Sequence, residues 1–195
     1  MLITKISKAV KTEGRYNIFI DEKFTFSLDE VQLVNLKLRK GQEISEEELA
    51  TLINEGDFGK NYLRALDLIS RRLRSEREIR DYAFKKQWTE ENTKRVIERL
   101  YEHGFLNDEK FATAFIRSKA INKSQSKRQI EAGLRKKGIK SSLIEKVIEK
   151  SEEYSEKDAL KKMIAKKINR YDDEKKLIAY LLRQGFKYDD IKENL

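Results

Sequence analysis

Apolar and polar positions change period once along this chain. Near the start they alternate: Arg15 to Ile20 reads RYNIFI, Phe24 to Leu28 reads FTFSL, and Asp21-Glu22-Lys23 separates them. Period two over short β-branched and aromatic runs is a hairpin pattern. Tyr16, Ile18 and Ile20 fall on one face, and Phe24, Phe26 and Leu28 supply the matching face of the return strand. Residues 2–10 alternate weakly and can add a strand. So few strands are marginal alone in water, so the unit should pack on a helix.

Beyond Leu28 the period becomes three to four. Asp29 is placed to cap a short helix, EVQLVNLKL, stopped before Gly41. Ser45 and Glu48 have capping-box spacing and open a helix reaching Gly56. A separate helix is expected from Asp57 to Leu73, with a stripe at Tyr62, Leu63, Leu66, Ile69, Ser70 and Leu73.

The pattern then repeats. Ser75 opens SEREIRDYAFKKQWTEENTKRVIERL, Ser126 opens SKRQIEAGLRKKGIKSSLIEKVIEKS, and Asp173 opens DEKKLIAYLLRQGFKYDDIKENL. Superposed, Ile79, Ile130 and Leu177 coincide, as do Ala83, Leu134 and Leu181, then Gln87, Gly138 and Gly185, then Trp88, Ile139 and Phe186. The starts lie 51 and 47 residues apart, a spacing that marks a repeat architecture. Each copy reads cap, helix, stop, apolar residue, second helix. Thr89, Asp108, Ser141 or Ser142, and Ser155 are the caps expected for the remaining helices, with polar joints at 122–125 and 152–156. The fold expected is mainly α: three tandem three-helix modules in an elongated, curved array, carrying a small N-terminal β-hairpin unit. The boundaries expected are 1–58 for the hairpin and short helices, then 59–107, 108–154 and a truncated 155–195.

Composition agrees with that reading. Charged residues make up 39% and apolar residues 38%, too little for one large core but enough for small stacked modules that each bury a stripe. Proline is absent and there are 8 glycines, so helix breakers are rare. There is no cysteine, which excludes disulfides and thiolate metal sites and suits a reducing cytoplasm. The first residues lack the apolar run of a signal peptide, and no stretch is apolar enough to span a bilayer. A cytoplasmic monomer without a membrane segment is expected.

The net charge of +9 is unevenly placed. Residues 1–60 hold 9 Lys/Arg against 11 Asp/Glu, whereas residues 109–154 hold 12 against 6. A basic body points to a polyanionic partner, either nucleic acid or an acidic protein surface. Three clusters supply the charge: Arg71, Arg72, Arg74 and Arg77; Lys127, Arg128, Arg135, Lys136 and Lys137; and Lys161, Lys162, Lys166, Lys167 and Arg170. Arginine suits bidentate contacts to phosphate or carboxylate, and the first two clusters are the candidate binding residues. The third reads as a solvated helix face.

No catalytic or metal-binding set is expected, and no cofactor. His103 is the one histidine and precedes Gly104, where a cation suits a helix C-terminus. Residues 56–60, GDFGK, lack the spacing of a phosphate-binding loop. Asp172, Asp173 and Glu174, like Asp189 and Asp190, read as helix N-terminal charges rather than magnesium ligands. Trp88 aligns with Ile139 and Phe186, so it reads as core rather than as a base-stacking platform.

Three segments resemble the RecX family. Ser75-Glu76-Arg77-Glu78-Ile79 is similar to the opening of its first repeat. Gly104-Phe105-Leu106-Asn107-Asp108 with Phe111-Ala112 resembles its GxLND..FA segment, and Ile130, Leu134 and Lys137-Gly138-Ile139 resemble a third. The likeness covers roughly residues 60–195. Arg15-Tyr16, Asp21 and Lys40-Gly41 are similar to the N-terminal extension of longer members. Ser126 departs from the usual Gly and Gly133 from the usual Glu. The resemblance implies a non-enzymatic regulator of the RecA recombinase, mostly inhibitory, that binds the RecA–DNA filament and modulates its ATPase and strand exchange, with single- or double-stranded DNA as a further partner. The residues by themselves also fit another class: a helix-turn-helix DNA-binding protein acting without RecA.

Overall fold

The computed structural model describes residues 1–10, 12–122 and 124–195. Three strands, β1 (Ile3–Lys8), β2 (Arg15–Ile20) and β3 (Lys23–Asp29), form one antiparallel sheet in the order β1-β2-β3. Ten α-helices follow among the described residues: α1 (Glu30–Asn35), α2 (Glu46–Arg71), α3 (Glu76–Lys85), α4 (Glu90–Glu102), α5 (Asp108–Asn122), α6 (Lys127–Lys136), α7 (Ser141–Glu149), α8 (Glu156–Lys167), α9 (Glu174–Arg183) and α10 (Tyr188–Asn194). A 3-10 turn, Ile168–Arg170, follows α8. Of the polar joint expected at 122–125, Lys123 lies outside the described residues.

The chain forms two compact units. One comprises Met1–Leu73 with Ile79–Leu106, the other Arg74–Glu78 with Asn107–Leu195. In the first unit the sheet buries Ile3, Ile18, Ile20, Phe26 and Leu28 against Ile44 and Leu52. The two-residue turn between β2 and β3 places Asp21 and Glu22 at positive φ, 46° and 68°, which matches the strand twist. A bulge shifts the register so that Ile18 faces Phe26 but Phe19 faces Phe24. It turns Phe24 off the buried face to 58% exposure, whereas strict alternation places it inside.

The sequence suggests two helices across 45–73; the structure has one, the 26-residue α2. Gly56 and Gly59 do not break it. They let neighbouring chain approach. A Cβ at Gly56 would lie 2.8 Å from the Ser27 carbonyl oxygen, and one at Gly59 would lie 2.5 Å from Gln32 Oε1. Gln32 is held in turn, its amide donating to the Glu55 carbonyl (2.6 Å) and accepting from the Asp29 N–H (3.1 Å). The glycines are thus kept for contact with β3 and α1, at about 0.5–1 kcal/mol each in helix propensity. A second core in this unit gathers Ala65, Ile79, Val96, Ile97, Leu100 and Leu106, with Trp88 packed against it. The side chains of Asn61 and Asn92 are buried between α2 and α4 and share a hydrogen bond of 3.2 Å.

In the second unit α5–α7 enclose Phe111, Ala112, Ile116, Ile130, Leu134, Ile139 and Ile144. Helices α8–α10 enclose Leu160, Ile164, Leu177, Leu181, Phe186 and Ile191. Tyr154 packs on both clusters, and its hydroxyl donates to the Gln125 carbonyl (3.2 Å).

The internal repeat is a physical one. Ile79, Ile130, Leu177, Ala83, Leu134 and Leu181 are all buried. Gln87, Gly138 and Gly185 take φ of 57°, 81° and 93°. The next N–H, from Trp88, Ile139 or Phe186, donates back to the carbonyl of Ala83, Leu134 or Leu181 at 3.1, 3.1 and 3.2 Å. That is the long-range bond of a Schellman stop, and it turns the following apolar residue inward. Expected caps at Asp29, Ser45, Ser75, Thr89, Ser126 and Ser155 each accept a first-turn N–H. Two expected caps are corrected. Lys140, not Ser141 or Ser142, precedes α7, with no side-chain cap bond. Asn107, not Asp108, caps α5, accepting from the Lys110 N–H at 2.9 Å; Asp108 is used elsewhere.

Gly56→Ala should lower stability by about 1–3 kcal/mol despite the better helix former, since the added methyl meets a backbone carbonyl. Urea unfolding read by circular dichroism checks it. Gln87→Gly should raise stability by roughly 0.5–1 kcal/mol in the same assay, because Gln87 holds a left-handed turn that glycine adopts without a Cβ clash.

Candidate functional site

Within the second unit one joint occurs twice, built from the first turn of one helix and the end of another. In the first copy, the backbone N–H of Glu76, the first residue of α3, donates to Asp108 Oδ1 at 3.0 Å. In the second, the N–H of Lys127, the first residue of α6, donates to Glu156 Oε1 at 3.2 Å. Such N–H groups have no partner within their own helix and are costly to bury unpaired. The carboxylate also suits the positive end of the helix dipole.

The next helical residue is an arginine in both copies. A Cβ at Gly138 would lie 2.6 Å from Arg77 Cβ, and one at Gly185 would lie 3.0 Å from Arg128 Cβ. Positive φ and close approach therefore both require glycine at these stops. The third helical residue completes the joint. Lys137 Nζ donates to Glu78 Oε1 at 2.5 Å, and Gln129 Nε2 donates to Gln184 Oε1 at 2.7 Å. Beneath lie Ser75 and Ser126, both fully buried, and Ser126 Oγ donates to the Gln184 carbonyl at 2.6 Å.

Electrostatics mark the same two carboxylates. Burial pushes the Asp108 carboxyl up, opposed by the Glu76 N–H and aided by the Glu76 charge. Burial also pushes Glu156 up, opposed by the Lys127 N–H and aided by Asp190, with Lys127 and Lys187 pulling it back.

The joints sort the candidate basic residues. Arg71 is paired with Asp67 (2.8 Å), Arg135 with Glu131 (3.3 Å) and Lys137 with Glu78. Arg72 donates to the Leu73 carbonyl (2.9 Å), and Arg74 is half-buried. Arg77, Lys127, Arg128 and Lys136 are exposed and form no ion pair among the described residues. Arg77 meets the turn that follows Lys136 and Lys137, while Lys127 and Arg128 lie at the second joint. In the third cluster Lys166 bonds Ser124 (3.2 Å) and Lys167 lies over the Tyr180 ring. His103 ends α4. Among the described residues no group of three or more His, Cys, Asp or Glu could hold a metal ion, and no helix is long and apolar enough to cross a membrane.

Known proteins share both the sequence and the arrangement. Residues 1–45 match the family described as Regulatory protein RecX N-terminal domain. Residues 62–100 match RecX, first three-helix domain, and residues 107–148 match RecX, second three-helix domain. The Regulatory protein RecX of Bacillus subtilis is 32% identical over 195 residues, covering 97% of this chain and 74% of that protein. The chain belongs to the RecX family. The Oceanobacillus iheyensis member is 32% identical over 85% of this chain, and the Listeria welshimeri member 36% identical over 82%. The chain spans only 63% and 58% of those two relatives. A crystal structure of regulatory protein RecX superposes with a TM-score of 0.80 at 26% identity, covering 98% of both chains. The RecX structure from Lactobacillus salivarius gives 0.63 at 26% identity over 71% of this chain and 94% of that one.

Sequence reasoning did not find the joint. Asp108 reads as the cap of its own helix and Glu156 as the end of a polar joint. The available signal was the recurrence of an acid at the first position of α5 and α8, together with Ser-x-Arg at α3 and α6 read through Ser75-Glu76-Arg77 and Ser126-Lys127-Arg128.

A carboxyl whose folded pKa is raised gives a contribution that is full below the ordinary carboxylate range and lost as pH rises through the raised value. Asp108→Asn keeps the acceptor and removes the charge. It should therefore match or exceed the parent in stability at neutral pH, and lose that advantage as pH falls to about 4. Urea midpoints measured across that range check it.

Proposed function

We propose that this chain is a regulator, of inhibitory sign, of the RecA recombinase in recombination and DNA repair. It binds the RecA–DNA filament and alters ATP hydrolysis and strand exchange by steric and electrostatic means, with no chemistry of its own. RecX membership supports the regulatory role. The observation that carries the mode of binding is the set of exposed, unpaired cations at the two joints: Arg77, Lys127, Arg128 and Lys136. The guanidinium stems rest on the stops at Gly138 and Gly185, so the heads are held at small entropic cost and offered to acidic protein surface or phosphate. Arg71, Arg135 and Lys137 contribute less, since each has an internal carboxylate partner.

Titrating this chain into the single-stranded-DNA-dependent ATPase of the cognate RecA should depress hydrolysis at substoichiometric protein, with weak affinity for bare DNA. Lys127→Glu combined with Lys136→Glu should weaken the effect by about tenfold with the helical spectrum unchanged. No effect on RecA, together with tight sequence-selective duplex binding, would replace this reading with that of a DNA-binding protein acting alone.

A further inference from the structure

The first unit contains a basic cavity remote in sequence from the residues above. Its volume is about 410 Å3, and Arg15, Asn17, Lys60, Leu63, Arg64 and Asp67 help line it. That volume lies within the roughly 300–1,000 Å3 typical of small-ligand sites.

Arg15 is the unusual member. It is 5% exposed, and an arginine so buried is normally fully bonded. Its Nη2 donates to the Ser27 carbonyl, to Ser27 Oγ (2.9 Å) and to the Gly56 carbonyl (3.2 Å), and its Nε donates to Ser27 Oγ (3.1 Å). Its Nη1 is buried with no partner among the described residues. Asp29 and Asp57 offset the Arg15 charge, while Arg64 lies near enough to oppose it. Asp67 faces the cavity but is neutralised by Arg71 at 2.8 Å. Lys60 and Arg64, one turn apart on α2, are exposed and have no ion pair among the described residues. The walls therefore hold two uncompensated cations beside the buried Arg15 guanidinium. An anion seated among them would pair with Lys60 and Arg64 and relieve the repulsion between Arg15 and Arg64. The neighbouring cavity that shares Arg15 is lined by Glu13 and Glu30 against Lys8, so it offers no such excess.

We propose that this cavity binds the phosphate group of a nucleotide unit, with Arg15, Lys60 and Arg64 as its cationic contacts and Leu63 and Ala9 as an apolar wall for the sugar. A fork of guanidinium donors matches phosphate geometry, and the apolar wall distinguishes a nucleotide from a bare anion. The site does not depend on the filament reading: a chain inert toward RecA still binds phosphate here.

The full chain is titrated with inorganic phosphate, with a deoxynucleoside 5′-monophosphate, and with an oligothymidylate of about eight nucleotides bearing a 5′-hydroxyl. Backbone amide NMR signals of Asn17 and Leu63 are followed. Saturable shifts are expected, stronger for the nucleotide than for phosphate. Lys60→Gln with Arg64→Gln should weaken binding by about tenfold or more while leaving the remaining amides in place. Tighter binding of the oligomer would identify a strand as the source of the phosphate, and tighter binding of the monophosphate a free nucleotide. Absence of saturable shifts with all three ligands, or equal affinity in the double variant, overturns the proposal.

Discussion

Satisfying the first turn of a helix sets the central constraint in the second unit. At α3 and α6 the opening N–H groups have no acceptor within their own helices, and each finds one in another part of the chain. Asp108 and Glu156 are those acceptors, each the first residue of the next helical trio. One carboxylate thereby closes one helix N-terminus while opening another. Around it an arginine stem lies on a left-handed glycine, and a side-chain pair bridges the third helical residue to the residue before that glycine. The geometry recurs although the bridging pair changes from an ion pair, Glu78 with Lys137, to an amide pair, Gln129 with Gln184. What is kept is the need to satisfy buried polar groups, and the chemistry that does so is free to vary.

The first unit solves a similar problem by different means. A three-stranded sheet cannot hold itself together, so it is pressed onto α2 closely enough that two helical positions must lack a Cβ. Arg15 then ties β3 to the Gly56 carbonyl, which such close approach brings within reach. The same approach withdraws a guanidinium from water and leaves one of its nitrogens without a partner among the described residues. Structural support and binding capacity thus arise from a single side chain.

These constraints shape where charge remains available. A net charge of +9 says little by itself, since several cations are spent on internal partners. The cations left over lie next to the joints and on the sheet's supporting helix, with no carboxylate paired to them among the described residues. A carboxylate within reach, and not the local density of Lys and Arg, separates the two groups.

The sequence alone determined the elements, because period, caps and stops are local physics. It located the hairpin, the repeat at Ser75, Ser126 and Asp173, the inward residues Ile79, Ile130 and Leu177, and the stops at Gln87, Gly138 and Gly185, and it placed the chain beside the RecX family. It named the basic clusters but could not tell Lys136, which forms no ion pair among the described residues, from Lys137, which is bound to Glu78. It divided α2 at Gly56, which in fact serves contact with β3, and it left Phe24 on a face from which a bulge removes it. Only the tertiary structure could decide these matters. Whether a glycine breaks a helix or admits a neighbour, whether an acid caps its own helix or another, and whether an arginine is spent or available all depend on groups distant in the chain, and no local pattern carries that information.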